Sequence, residues 1–504
     1  MTDDGRTLKG GGGVKYKTLG AAMAALVLLC ALAATAVEAQ EGPYRVHQHL
    51  EARSPDAGCG CDGTELCTHL PLVVIDTGGA EIPGEPLGYE EDGEVIASKS
   101  ETGEAMITAR VRIMDDSTRN HHPSDEPDLE SGALIRIRGN SSRFFDKKNY
   151  LLRFVDGDGS YKDHEVMGMD SHYEWALHGP YLDKTLIRNY MWYNIAGEMM
   201  EWAPNVRFCE VILNGEYMGL YLMTETVTNG EGCRVDVSEP VGNTTATGYV
   251  LRLDRGSSNE LKNIDNFTYY TYIIRRSQGI NIDIEYPRAG DLTQELADAI
   301  EQEFSDFEKA LYSYDYNTHD YGYQTYLDVN SFADYFILNE FTQNYDAGVL
   351  STYIYKDIGG KYHMAVWDFN NSCRNFYNDI GTDGFQMQNV PWQKMLMRAE
   401  DYDERVIDRY RMWRGSFLSD EYLLGYIDDT IEWLGPAIER NFEVWGYSFE
   451  EYTPLVPMSR NPADFEEAVQ DLKDFIVERG AWMDEYIEII LQYGHPSAVK
   501  KYDH

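Results

Sequence analysis

The sequence predicts an α+β protein in two lobes, β-rich over residues 70–228 and helical over 229–491. Three observations carry this. Between residues 133 and 224, β-branched and aromatic runs of period two are interrupted once by a 3.6-residue pattern, which reads as strand, strand, helix, strand, strand. After about Leu292 the apolar period becomes helical for most of the remaining chain. With 504 residues and 43% hydrophobic content, the chain can bury a large core and exceeds the usual size of one domain.

The folded part is expected to begin at Leu70, where Leu72-Val73-Val74-Ile75 opens the β region and 105–114 alternates like a second strand. Residues 115–131, rich in Asp, Ser, His and Pro, have the composition of an exposed loop. Strands follow over 133–138 and 149–155, joined by a small, polar turn, and then a helix over 182–200 that Pro204 ends. Strands over 206–213 and 217–224 flank Asn214-Gly215, a strong signal for a tight hairpin. Helices are predicted over 292–311, 331–341, 403–417, 421–445 and 464–492. A hairpin of 353–356 and 362–367 interrupts them, its turn supplied by Asp357-Ile358-Gly359-Gly360-Lys361.

The formal charge of −42 argues against a nucleic-acid partner, because phosphate backbones are gripped by clustered Lys and Arg. Residues 1–39 combine basic residues, an apolar run over 19–37 and small-residue cleavage sites, which reads as a secretory signal peptide. The run is also long enough for an uncleaved N-terminal anchor, in which case this segment is the protein's contact with a membrane. Either reading places the protein outside the cell or on its surface. Residues 40–69 form a polar, Cys-containing linker, and 492–504 a C-terminal tail. Beyond the signal lie Cys59, Cys61, Cys67, Cys209, Cys233 and Cys373, an even set that an exported chain can pair as disulfides. The close trio Cys59, Cys61 and Cys67 also admits a metal.

Chemistry-bearing residues concentrate in two places. Arg138, Lys147 and Lys148 surround the polar turn Gly139-Asn140-Ser141-Ser142, where cations and small residues could cradle phosphate or simply pair with the chain's own acids. Asp346, in Asn344-Tyr345-Asp346, precedes the 353–367 hairpin, and Trp367-Asp368-Phe369-Asn370 follows it. Asp368 and Asn370 are a hard-oxygen pair suited to Mg²⁺, or an Asx turn closing the hairpin. No Ser or Cys nucleophile accompanies His121, His122 or His178, and no zinc-protease motif is present, so hydrolase chemistry finds no support. Three glycosylation sequons begin at Asn140, Asn243 and Asn266.

Several ordered strings resemble the CotH family of spore-coat-type kinases. They are Ile135-Arg136-Ile137-Arg138-Gly139-Asn140-Ser141-Ser142 with Lys147-Lys148-Asn149-Tyr150, and Trp175-Ala176-Leu177-His178-Gly179-Pro180 with Asp183-Lys184-Thr185-Leu186-Ile187-Arg188-Asn189. Leu213-Asn214-Gly215-Glu216-Tyr217-Met218-Gly219-Leu220-Tyr221 with Glu225, and the Asp346 and Asp368 segments, complete the set. The resemblance implies a bilobal atypical protein-kinase-like fold over 70–491. It implies an exported, ATP- and Mg²⁺-dependent kinase that transfers the γ-phosphate to hydroxyls of surface or secreted proteins, or to itself. Under it, Asp346 is the catalytic acid, and Arg138 and Lys148 contact ATP phosphates, with Asp183 as the lysine's partner. Glu225 falls where a hinge meets adenine, and Asp368 and Asn370 hold the metal. The sequence departs from the family pattern at Asn370, where aspartate is common, and at Ser372-Cys373-Arg374. Those departures support an alternative, a non-catalytic coat-assembly or adhesion protein that keeps the fold, with the 115–131 loop as its contact.

Overall fold

The computed structural model describes residues 59–90, 94–230, 234–242, 244–256, 259–268, 280–375, 381–451 and 461–494. The signal or anchor segment, the linker before Cys59, Cys233, the Asn243 sequon position and residues 495–504 lie outside these. Contacts divide the chain into Met1–Tyr44, which is wholly outside the described residues, and Arg45–His504. The two-lobe division expected from the sequence is not seen as a separation of contacts, since Arg45–His504 forms one compact unit.

The β-rich part is a closed seven-stranded barrel. Its strands are β1 (Leu72–Asp76), β4 (Ile107–Met114), β5 (Leu129–Arg138), β6 (Asn149–Val155), β9 (Glu174–His178), β10 (Val206–Leu213) and β11 (Glu216–Glu225). Around the barrel the order is β1-β10-β11-β9-β6-β5-β4, and β1 closes it by pairing parallel to β10 and antiparallel to β4. Small hairpins β2 (Pro86–Tyr89) with β3 (Val95–Ala97), and β7 (His164–Val166) with β8 (Met169–His172), lie outside the ring. Alternate residues fill its interior, among them Val73 and Ile75, Val111 and Ile113, Ile135 and Ile137, Leu152 and Phe154, Trp175 and Leu177. This is the period of two that a strand imposes on its two faces. Residues of the opposite parity, Phe208, Leu220 and Leu222, join the larger core instead.

That larger core runs through α1 (Arg188–Met199), buried along its whole length, into α2 (Gln294–Tyr312) and α3 (Val329–Phe341). The predicted start of α1 at residue 182 is six residues early. Leu186 has φ +66, outside the helical region, and Asp183 accepts the Arg188 amide at 2.8 Å, capping the helix from five residues upstream. A four-stranded sheet of order β13-β12-β14-β15 comes next, from β12 (Tyr249–Arg255), β13 (Ile280–Tyr286), β14 (Thr352–Lys356) and β15 (His363–Ala365). The predicted hairpin is its edge pair, with Tyr353 opposite Ala365.

The remaining helices are α4 (Glu400–Arg414), α5 (Asp420–Leu434), α6 (Pro436–Trp445) and α7 (Phe465–Tyr486). One helix was expected over 421–445. Gly435 at φ +46 followed by Pro436 splits it, because proline starts a helix well but cannot continue one. Among the described residues, no helix is long and apolar enough to cross a membrane.

Candidate active site

The barrel rim and the α3–β14–β15 segment supply the site. Asp346 lies in the turn after α3, where its carbonyl accepts the Leu350 amide at 2.8 Å. Asp368 lies three residues beyond β15. Two hydrogen bonds tie the segments together. Asn344 Nδ2 donates to the Asp368 carbonyl at 3.0 Å, and Asn371 Nδ2 donates to Asp346 Oδ2 at 2.7 Å.

Asparagine side chains and strained backbone hold Asp368 and its neighbours in place. Asn189 of α1 accepts the Phe369 amide at 2.7 Å and donates to Asn370 Oδ1 at 3.1 Å. The Asp368 amide donates to the Tyr193 hydroxyl at 3.0 Å, and the Asn370 amide to Asp368 Oδ1 at 3.2 Å, so the Asx turn is formed. Gln343, Ser351, Asp368, Cys373 and Arg374 all have positive φ, between +45 and +61. Left-handed conformations in non-glycine residues are costly and persist where the surrounding structure over-determines them, which is common at functional sites.

The electrostatics distinguish these two acids. Burial first, and then the Asp368 charge, push the Asp346 carboxyl up to about 6, against the Asn371 hydrogen bond that favours its ionised form. Burial also raises Asp368, and the Arg138 charge only partly offsets it. Among the described residues neither carboxylate has a salt-bridge partner. Arg138, the last residue of β5, places its guanidinium 5.2 Å from the Trp367 ring centre, beside Asp368. His178, at the end of β9, is pushed down to about 3 by burial and by Arg138, which keeps it neutral. These residues fit a divalent cation. Asp368 and Asn370 offer hard oxygens, and a cation would relieve the cost of keeping two carboxylates charged together.

Other expected residues have different partners. Lys148 Nζ donates to Glu85 at 2.8 Å and to the Arg143 carbonyl at 2.7 Å, so the expected Lys148–Asp183 pair is not formed. Asp183 instead binds Arg188 at 2.5 Å and Thr185 Oγ1 at 2.6 Å. Glu225 is buried, paired with Arg234 at 3.0 Å and accepting the Asn205 amide at 2.8 Å, which makes its carboxylate structural rather than open to adenine. Lys147 is buried as well, donating to the Leu220 carbonyl at 2.7 Å and to Asn441 Oδ1 at 2.6 Å. Of the three cations expected to cradle phosphate, Arg138 is the one whose charge reaches Asp368.

Sequence reading missed Asp254 at the end of β12, whose charge raises both Asp346 and Asp368. The β12–β14 pairing, Leu253 opposite Thr352, brings it there, and the Ser351 amide donates to its Oδ2 at 3.3 Å. Asn189 and Asn371 were missed as site-building residues too. The sequon asparagine Asn266 is buried, and its amide donates to the Ile264 carbonyl and to Asn281 Oδ1.

Comparison with protein families gives a match to the CotH kinase protein model over residues 135–483. No curated protein matches the chain. The match contains Arg138, Asp346, Asp368 and Asn370, and it spans most of the sequence, so the chain belongs to the CotH kinase protein family.

Proposed function

We propose that this protein is an exported kinase that transfers the γ-phosphate of ATP to serine or threonine hydroxyls of surface or secreted proteins, itself included. The barrel would serve as the nucleotide-side lobe and the helical part as the substrate-side lobe. What carries the reading is the pair Asp346 and Asp368, two acids joined by asparagine hydrogen bonds, both raised, and without salt bridges among the described residues.

Asp346, titrating at about 6, is ionised at neutral pH and basic enough to orient a substrate hydroxyl and accept its proton. Asp368 and Asn370 Oδ1, which also accepts from Asn189, would hold Mg²⁺, which when bound neutralises charge on the phosphates. Arg138 is the cation for phosphate oxygens, held in place by Trp367. Lys148 could join it only by giving up Glu85, a partner that is half exposed and therefore weakly held.

Incubation of the pure protein with γ-labelled ATP, Mg²⁺ and generic Ser/Thr substrates tests this. Label transfer by wild type that is lost in Asp346→Ala and Asp368→Ala is the expected result. No transfer by wild type, or transfer indifferent to both substitutions, would refute it.

One observation favours a second reading, a non-catalytic assembly protein. Lys148, Asp183 and Glu225 are all engaged with protein partners, and Asn370 stands where an acid is common. That reading expects no change in melting temperature on adding Mg-ATP.

A further inference from the structure

Cys59, Cys61, Cys67 and His122 present their three sulfurs and one ring nitrogen within 4.8 Å of one another. All four precede residue 135, so the family match assigns them nothing. We propose that they hold a structural zinc ion. The set is four soft or borderline ligands with no place left for water, which is the pattern of structural rather than catalytic zinc.

The geometry fits. Cys59 Sγ lies 3.5 Å from His122 Nε2. Ligands at Zn–S of about 2.3 Å and Zn–N of about 2.0 Å, set at the tetrahedral angle, stand about 3.5 Å apart. The supporting groups fit too. His122 Nδ1 faces Asp125 Oδ2 at 3.3 Å, and the same oxygen accepts the His122 amide at 2.9 Å. A carboxylate behind the histidine fixes the ring so that the other nitrogen points at the metal. Asn120 Nδ2 donates to Cys67 Sγ at 3.2 Å, as a hydrogen bond to a thiolate would require.

Chain register brings the ligands together. Thr68 and His121 form an antiparallel bridge, with N–H···O distances of 3.1 and 2.7 Å, so Cys67 and His122 emerge next to the same bridge. The adjacent His121 is excluded as a ligand, because its nitrogens lie 2.7 and 3.1 Å from the Leu70 and Asp116 carbonyls. Three cysteines and a histidine suit zinc better than a disulfide, which would pair two sulfurs and leave one thiol and the imidazole idle. The ion would staple the segment entering β1 to the loop before β5. Composition predicts an exposed loop there; Ser117–Arg119, Ser124, Glu126 and Asp128 are exposed, and His121 and His122 are buried at its middle.

Elemental analysis of the full chain, expressed with zinc present and purified without chelators, should give about one zinc per chain. Cobalt substitution should give the visible bands of tetrahedral thiolate coordination. Cys61→Ser and His122→Ala should lose the metal and His122→Cys should keep it, while Asp125→Asn should weaken affinity about 10- to 100-fold with the ligands intact. Should the ligand variants fail to fold, the wild-type cobalt spectrum and a thiol count after denaturation with chelator decide the matter. Three free thiols at these positions are expected. A zinc-free wild type, a disulfide within the trio, or zinc retained by both Cys61→Ser and His122→Ala would overturn the proposal.

Discussion

Two groups of acids in this molecule are treated in opposite ways. In the helical part, Asp334 of α3 receives Arg409 through two bonds of 2.7 and 2.6 Å and Trp413 Nε1 at 2.7 Å. At the barrel, Glu210 receives Arg440 at 2.9 and 2.6 Å. A few residues beyond the end of α3, Asp346 has an asparagine amide in place of a guanidinium, and Asp368 has an Arg138 that stacks on Trp367 rather than binding it. On the proposed function, the difference separates acids that hold the fold from acids that serve a ligand. A guanidinium in contact neutralises Asp334 and Glu210 within the chain, whereas Asp346 and Asp368 are raised with no such contact among the described residues.

The comparison breaks most sharply in catalysis. Asp346→Ala should lower labelled-phosphate transfer about 10²- to 10⁴-fold, the usual contribution of a positioned base, while Asp334→Asn leaves the turnover of its folded fraction nearly intact. Steady-state kinetics on both variants checks this. In stability the order reverses. Arg409→Ala strands Asp334 as a buried, uncompensated charge and should cost about 3–5 kcal/mol in denaturant unfolding.

Asp346→Asn should stabilise the ligand-free protein, and only at higher pH. The folded-state value of about 6 lies above the ordinary 3.8, so the folded state binds more protons between these values. Ionised Asp346 therefore destabilises the fold above pH 6, and this penalty disappears as pH falls below 3.8. The gain at pH 8 is at most about 3 kcal/mol, and less because the group is partly exposed to water. Melting curves of wild type and variant at pH 4 and pH 8 measure the difference. Smallest is a control remote from both groups. Asp464→Ala removes the cap on the Glu467 amide at the start of α7 and should cost about 1 kcal/mol.

Local patterns made much of this legible. Strand alternation in 149–155 and 206–213, the Asn214-Gly215 turn and the 353–367 hairpin are all set by residues close in sequence. Asp346 and Asp368 could be read as partners because that hairpin lies between them. The rest depended on distant pairings. Barrel closure needs β1 beside β10, more than a hundred residues away, and Asp254 reaches the site only through β12 beside β14. The partners of Lys148 and Glu225 were hidden for a similar reason, since Glu85 and Arg234 reach them from elsewhere in the chain and sequence spacing does not show it. His122 as a companion to the cysteine trio was hidden likewise, 55 residues from Cys67 but beside it through the Thr68–His121 bridge.

The most direct test of the account is the melting temperature of wild type, Asp368→Asn and Asp334→Asn with and without Mg-ATP across pH 5 to 8. The account predicts that Mg-ATP stabilises wild type, with a shift that grows as pH rises through about 6 and Asp346 ionises. Asp368→Asn should lose that shift and Asp334→Asn should keep it. A shift that survives Asp368→Asn, or no shift in wild type at any pH, would contradict the claim that Asp368 holds the metal of a nucleotide site beside Asp346.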